Sequence, residues 1–217
     1  MDRDWELFLL PYTQTVNELK VKLKGIRTSY QLSKQHGPIE FVTGRVKPVN
    51  SILLKSRTRN VSLEKLETEM EDLAGIRIMC PFVEDIYDVV TLLKNRHDFK
   101  VVQEKDYVTN KKNSGYRSYH LICEYPVQLI DEVKYVLVEI QIRTLAMNFW
   151  ASIEHSLNYK YQGEFPHEIN LRLQKAAESA FQLDEEMSTI REEIKEAQSN
   201  FRFKDGKSPF NRNEWKE

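Results

Sequence analysis

Three segments of the chain carry apolar residues at every second position, and Arg, His, Tyr, Glu and Gln fill the positions between. In residues 135–144, Val136, Val138, Ile140 and Ile142 form one face, while Glu139, Gln141 and Arg143 form the other. In residues 116–125, Tyr119, Leu121 and Cys123 share a face with Arg117, and Tyr116, Ser118 and His120 take the opposite one. In residues 75–80, Ile76 and Ile78 oppose Arg77. A period of two is the signature of a strand. Half-buried antiparallel strands alternate without any functional reason. Three strands whose polar faces hold the side chains of nucleotide chemistry, rather than Lys, Thr and Ser, predict a sheet with one face in a core and the other flooring a cleft.

The rest of the pattern is mostly helical. Apolar residues from Trp5 to Tyr30 recur at spacings of three and four, so a first helix is expected that begins near Pro11 or kinks there. Gly37-Pro38 ends it, IEFVTGR is extended, and Pro48 suits the first turn of a helix over 48–58. Residues 63–72 read as an acidic helix, 85–95 as a helix with Asp85 as N-cap, and 145–160 and 168–199 as helices. A fourth strand is expected over 99–108. The fold class is α+β (mixed α/β): one domain over residues 1–200, a sheet with helices at both ends of the chain, and a disordered tail over 201–217.

Charge is segregated. From Lys20 to Arg59 there are ten Lys/Arg against one acid, Glu40; from Glu164 to Gln198 there are nine acids against four bases. The basic stretch fits solvated helix faces or a polyanion site, and a small polyphosphate suits a chain of net charge −1 better than a nucleic acid does. No apolar run approaches the roughly 20 residues of a membrane span, and the start MDRDWELFLLPY lacks the bases of a signal peptide, so a cytoplasmic protein is expected. Cys80 and Cys123 lie in apolar runs and read as buried thiols; HExxH and C-x-x-C are absent. So are G-x-x-x-x-G-K-[ST] and G-x-G-x-x-G, which leaves phosphate binding to Arg and Lys side chains.

Four constellations stand out. In TGRVKPVNSILLKSRTR, Arg45 and Lys47 precede a helix on which Ser51, Lys55 and Arg59 fall on one stripe, near an N-terminus that favours anions. Asp72 and Glu139 read either as salt-bridge partners of Arg77 or Arg143, or as Mg²⁺ ligands, since two carboxylates plus substrate phosphates and water are a common Mg²⁺ arrangement. In KKNSGYRSYHL, Gly115 allows a tight approach and Tyr116 offers a ring on which a base can stack. In the segment after Thr144, Asn148, Ala151/Ser152 and His155 share one helical stripe.

At these residues the chain resembles a known family. The runs EFVTGRVKP, DLAGIRIMC, SGYRSYH and VEIQIRT, the last followed by AMNFWA and IEHSLNYKY, are similar to the synthetase domain of the RelA/SpoT homologues. With neither a hydrolase HD domain nor a regulatory extension, the chain resembles the small alarmone synthetases of the RelQ type, up to about residue 198. The resemblance implies a nucleotidyltransferase-like mixed sheet of about five strands. It implies an enzyme that transfers the β,γ-pyrophosphate of ATP to the 3′-hydroxyl of GDP or GTP, giving ppGpp or pppGpp and AMP in the stringent response.

Residue by residue, Asp72 and Glu139 match the Mg²⁺-binding acids, and Glu139 is also a candidate acceptor of the 3′-hydroxyl proton. Arg45 and Arg77 match arginines that sandwich adenine. Lys47, Ser51, Lys55 and either Arg57 or Arg59 match ATP phosphate ligands, with Lys105 where relatives can carry arginine. Tyr116 matches a guanine-stacking tyrosine, and Lys112, His120, Gln141, Asn148, Ala151 and His155 match the acceptor side. RelQ-type relatives are homotetramers activated by pppGpp in a central cleft, for which Lys20, Lys24, Phe41 and Thr43 match. Single-stranded RNA is a further conceivable ligand of the basic region. A polymerase-β-type nucleotidyltransferase would need a G-S motif and a D-x-D pair on a strand, and neither is present.

Overall fold

The structure, a computed structural model, describes residues 3–161 and 165–204. In chain order the elements are α1 (Trp5–Leu32), β1 (Phe41–Val46), α2 (Val49–Arg59), a 3-10 turn (Leu63–Lys65), a one-turn helix α3 (Leu66–Glu69), β2 (Ala74–Cys80), α4 (Val83–Lys94), β3 (Lys100–Asp106), β4 (Tyr119–Gln128), β5 (Val133–Thr144), α5 (Leu145–Lys160) and α6 (His167–Lys204). The strands form one sheet in the order β1-β2-β5-β4-β3, in which only the β2–β5 pair is parallel. This is the mixed five-stranded α+β architecture expected.

One face of the sheet is the core. Val136, Val138, Ile140 and Ile142 of β5 are at most 2% exposed and join Ile76 and Ile78 of β2, Tyr12, Val16, Leu19 and Leu23 of α1, and Ile86, Val89 and Leu93 of α4 in one buried cluster. Each fully buried Leu or Ile contributes roughly 1.5–3 kcal/mol, so this face fixes the register. A one-residue slip of β5 would exchange its four buried apolar side chains for Glu139, Gln141 and Arg143.

Element boundaries differ from expectation for local reasons. The first helix starts at Trp5 and runs through Pro11, because Asp4 caps it by accepting from Leu7 N at 3.0 Å. Pro48 is the N-cap of α2. Asp85 is not the N-cap of α4: Phe82 is, and Asp85 in the first turn reaches back to accept from Phe82 N at 3.2 Å. Asp85 is fully buried and also holds His36 at 2.9 Å and Arg191 at 3.3 Å, tying the α1–β1 connection and α6 to α4. β3 stops at Asp106, whose Oδ1 accepts from Val108 N and Thr109 N and turns the chain. β4 begins at Tyr119, three residues late, and continues through Pro126; its ladder with β3 ends at Glu124, so Pro126 lies where one edge of the strand is free. The expected acidic helix over 63–72 shrinks to two short turns, which frees Asp72 from helical geometry at the entry to β2. α6 continues to Lys204, into the segment expected to be a tail; residues 205–217 of that segment lie outside the described residues. Cys80 and Cys123 are buried free thiols.

α6 packs against α5 and meets the end of β5, where Thr144 caps α5 and donates to Asp184 Oδ2 at 2.5 Å. Burial pushes the Asp184 carboxyl from the ordinary 3.8 up to about 6, the Thr144 hydrogen bond only partly opposing it. Between those values the folded protein keeps a proton the unfolded chain has released, so this residue lowers stability as pH rises from about 4 to about 6. Asp184→Asn is therefore expected to stabilise the protein at pH 7.5 by on the order of 1–3 kcal/mol and to leave it unchanged near pH 3.5. Thermal melts across that range check this; equal effects at both ends would contradict it.

Candidate active site

The face of the sheet opposite the core carries the predicted site. One row crosses all five strands: Thr43 of β1 pairs with Arg77 of β2, Arg77 with Gln141 of β5, Gln141 with His120 of β4, and His120 with Lys105 of β3. The neighbouring row on this face brings Arg45 beside Gly75, and Gly75 beside Glu139. Over the β1–β2–β5 part of these rows lies a cleft of about 300 Å³ lined by Arg45, Lys47, Asp72, Arg77, Glu139 and Gln141, together with Thr43 and Gly44.

Cations and acids meet at one end of the cleft. Lys47 and Lys55 both donate to Asp72 Oδ2, at 2.9 and 2.7 Å. Burial would raise the Asp72 carboxyl, but these two hydrogen bonds and charges outweigh it and hold the group below its ordinary value. Its Oδ1 is buried and has no hydrogen-bond partner among the described residues. The guanidinium of Arg77 is pulled below its ordinary value by burial and then by Arg143 and Arg45, so three arginines crowd one another here. Like charges held together in a half-buried cleft are costly unless a polyanion offsets them.

At the other end the polar side chains form a closed ring. Glu139 Oε1 accepts from His120 Nδ1 at 3.0 Å, His120 Nε2 meets the Tyr116 hydroxyl at 2.8 Å, and Arg143 donates to that hydroxyl. Arg143 also donates to Gln141 Oε1 at 2.8 Å, and Gln141 Nε2 donates to Glu139 Oε2 at 2.9 Å. Burial would raise the Glu139 carboxyl, but the hydrogen bond and charge of His120 prevail and leave it below its ordinary value. The Lys112 ammonium lies 4.6 and 4.9 Å from the ring centroids of Tyr107 and Tyr116. Neither acid pairs with Arg77 or Arg143: Asp72 pairs with the two lysines and Glu139 with His120.

The loop bearing Tyr116 rests on α6. Gly115 has φ +89°, and a Cβ on it would lie 2.5 Å from Ala177 Cβ. Arg117 stacks 3.7 Å over Phe181 and donates to Val108 O at 2.7 Å, while Lys111 pairs with Glu178 at 2.6 Å. Gly115→Ala is expected to cost about 1–3 kcal/mol through the left-handed backbone and the clash, and to weaken binding at Tyr116 while sparing the Asp72 end. Melting temperature and separate titrations of the two nucleotides check this.

The remaining predicted residues are spread more widely. Ala151 is 8% exposed and packs with Trp150 and Ala177 against Tyr116; Asn148 Oδ1 is buried without a partner among the described residues, and His155 is exposed on α5 one turn beyond Ala151. Lys105 lies 3.8 Å from Glu71 and does not line the cleft. Ser51, Arg57 and Arg59 are exposed on α2. Of the residues matched to an allosteric cleft, Lys20 and Lys24 lie on α1 and Phe41 starts the edge strand, whereas Thr43 lines the same cleft as Arg45. Sequence reasoning passed over Tyr107 and gave Arg143 no more than an ion-pair role; only the polar-face alternation of residues 135–144 pointed to Arg143.

Comparison with known proteins places this geometry. Residues 44–164, more than half of the chain, match the model for a region found in RelA/SpoT proteins. The chain belongs to the RelA/SpoT family. It is 62% identical over 200 residues to the GTP pyrophosphokinase YjbM of Bacillus subtilis, covering 92% of this chain and 94% of that one. Among solved structures it is similar to the small alarmone synthetase 1 of Bacillus subtilis bound to its product pppGpp (62% identity, TM-score 0.86, 89% of this chain and 99% of that one). It also resembles the same enzyme bound to AMPCPP (58% identity, TM-score 0.79, 90% and 100%). The RelA/SpoT match covers the cleft from Gly44 through both acids to α5. Among the described residues no helix is long and apolar enough to cross a membrane.

Proposed function

We infer that this RelA/SpoT protein is a GTP pyrophosphokinase, a small alarmone synthetase that transfers the β,γ-pyrophosphate of ATP to the 3′-hydroxyl of GDP or GTP. The observation that carries the reading is the continuous polar face running from the Asp72–Lys47–Lys55 cluster to the Tyr116 ring, in a chain 62% identical to a synthetase solved with pppGpp. ATP occupies the β1–β2 end, with Arg45 and Arg77 on the adenine and Lys47, Ser51 and Lys55 on the phosphates. Arg59 is the better fourth phosphate ligand: Lys55 turns its stripe of α2 toward Asp72, Arg59 follows one turn later on that stripe, and Arg57 lies on the far side. Lys105 serves as an outer contact beside Glu71. The acceptor lies at the other end, its guanine stacked on Tyr116 and its phosphates met by Lys112 and His155. The buried, unpartnered Asn148 Oδ1 matches the N–H donors of a guanine edge, beside the small side chain of Ala151.

Mg²⁺ fits this site. Among the described residues Asp72 Oδ1 lacks a partner and Glu139 lines the same cleft, so these two carboxylates would hold the ion together with substrate phosphates. When bound, such an ion offsets charge on the β- and γ-phosphoryl oxygens. The 3′-oxygen forms its bond to the β-phosphorus as the bond from that phosphorus to the α–β bridging oxygen breaks; AMP leaves with the bridging oxygen, and the 3′-hydroxyl proton passes to water. Arg77, Lys47 and Lys55 stabilise the developing charge, so positioning and electrostatics do most of the catalysis. Glu139, held below its ordinary value with both oxygens accepting hydrogen bonds, orients the site better than it accepts a proton.

The chain assembles with further copies, and a homotetramer with pppGpp between copies near Lys20, Lys24, Phe41 and Thr43 is the regulatory form. Supporting this, α5 leaves Leu145, Phe149, Ile153 and Leu157 exposed at four-residue spacing, and α6 leaves Leu183, Met187, Ile190 and Ile194 exposed. Light scattering tests it; a monomer mass removes the central-cleft assignment. The basic region around α1 and α2 is also the surface on which single-stranded RNA would bind, and the enzyme works in the cytoplasm with its nucleotide substrates. The activity is tested by incubating the protein with ATP, GDP and Mg²⁺ and resolving products by anion exchange. Guanosine tetraphosphate and AMP in equal amounts are expected; pyrophosphate release, or no product, sinks the reading.

A further inference from the structure

Arg143 is 4% exposed, yet it has no carboxylate partner among the described residues. Its guanidinium is spent on neutral oxygens: the Tyr116 hydroxyl, Gln141 Oε1 at 2.8 Å and Ser118 Oγ at 3.1 Å, with its Cζ 5.0 Å from the Tyr116 ring centroid. A guanidinium has only donors, so the Tyr116, Gln141 and Ser118 oxygens all accept from Arg143. With Arg143 donating to the Tyr116 oxygen, that hydroxyl is paired with His120 Nε2, the donor set by the protonation of the imidazole, and His120 Nδ1–H donates to Glu139 Oε1. By the second branch Gln141 gives its oxygen to Arg143 and its amide N–H to Glu139 Oε2.

We propose that Arg143 is a positioning residue that clamps Tyr116 and Gln141 and so couples the acceptor-base platform to the orientation of Glu139. Two chains leave one guanidinium and converge on the two oxygens of one carboxylate, so the ring of Tyr116 cannot tilt without disturbing Glu139. Lysine cannot replace it, because one ammonium cannot span three oxygens in a planar fork. The inference deepens the functional reading above and rests on it for the identity of the acceptor.

The test is a double-mutant cycle with Arg143→Lys and Tyr116→Phe, reading GDP affinity by calorimetry and turnover with ATP and GDP. Arg143→Lys is expected to weaken GDP binding and turnover by about 10–100-fold, the range typical of lost supporting hydrogen bonds, while the KM for ATP stays within about twofold. In the Tyr116→Phe background the same substitution should cost GDP affinity less than about threefold, because the hydroxyl through which it acts is gone. Independent multiplied losses, or an ATP KM that rises as much as that for GDP, would overturn the proposal, as would a lowered melting temperature with no split between the substrates. Should Arg143→Lys not fold, Tyr116→Phe alone decides: it removes one oxygen, and unaltered GDP affinity refutes the clamp. A crystal structure of Arg143→Lys separates this proposal from the functional reading. Tyr116 and Gln141 displaced by about 1 Å support the clamp even in a protein inactive on GDP; side chains left in place refute it.

Discussion

Asp72→Ala is expected to lower pyrophosphate transfer by at least about 10³-fold while the protein still folds. Asp72 lies at the entry to β2, outside the core cluster, and among the described residues its side chain pairs with Lys47 and Lys55 alone. Removing it deletes one of the two carboxylates fit to hold Mg²⁺ and leaves two ammonium groups facing each other. ATP binding should fall less than turnover, since Lys47, Lys55, Arg45 and Arg77 remain. Asp72→Asn separates charge from shape: it keeps an acceptor for one lysine, so a loss as large as that of Asp72→Ala marks the charge as the requirement. The folded carboxyl is held below its ordinary value. Its contribution to stability is thus present above the unfolded value near 4 and disappears as pH falls through the lower folded value. Stability differences between wild type and Asp72→Asn should therefore appear at pH 7 and vanish in strong acid. Retained turnover in Asp72→Ala would refute the metal-ligand role.

Glu139→Gln is expected to cost about 10²–10³-fold in turnover, and its pH behaviour tells which role it plays. A general base matched to neutral pH would have its carboxyl raised. Here His120, aided by Gln141, holds it below the ordinary range despite burial. The group is ionised throughout the neutral range, so the wild-type pH–rate profile should show no acid limb near pH 6–7 that the Gln variant abolishes. Such a limb, lost on substitution, would restore Glu139 as the proton acceptor.

Much of this was legible in the sequence because strand faces alternate with a fixed period. The apolar series Val136–Ile142 at alternate positions dictates its own burial, and the same arithmetic puts Glu139, Gln141 and Arg143 on the cleft side. Boundaries were less legible because they are set by single local contacts, such as Asp106 turning β3 and Asp4 starting α1. Partners were least legible. Asp72 and Glu139 were expected to face arginines if they paired at all, and the pairing instead follows from tertiary register. Placing His120 opposite Gln141 brings its imidazole to Glu139, and Lys55 reaches Asp72 across the gap between α2 and β2. Spacing along α2 left Arg57 and Arg59 undecided; the Lys55–Asp72 contact sets the orientation of the helix, and the proposal of Arg59 rests on that orientation.

The central claim is that this cleft moves the β,γ-pyrophosphate of ATP as a unit. Parallel reactions with ATP labelled at the α- or the γ-phosphate, in the presence of GDP and Mg²⁺, test it most directly. The account predicts γ-label in a guanosine tetraphosphate and all α-label in AMP; α-label appearing in the guanosine product, with γ-label released as pyrophosphate, would contradict it.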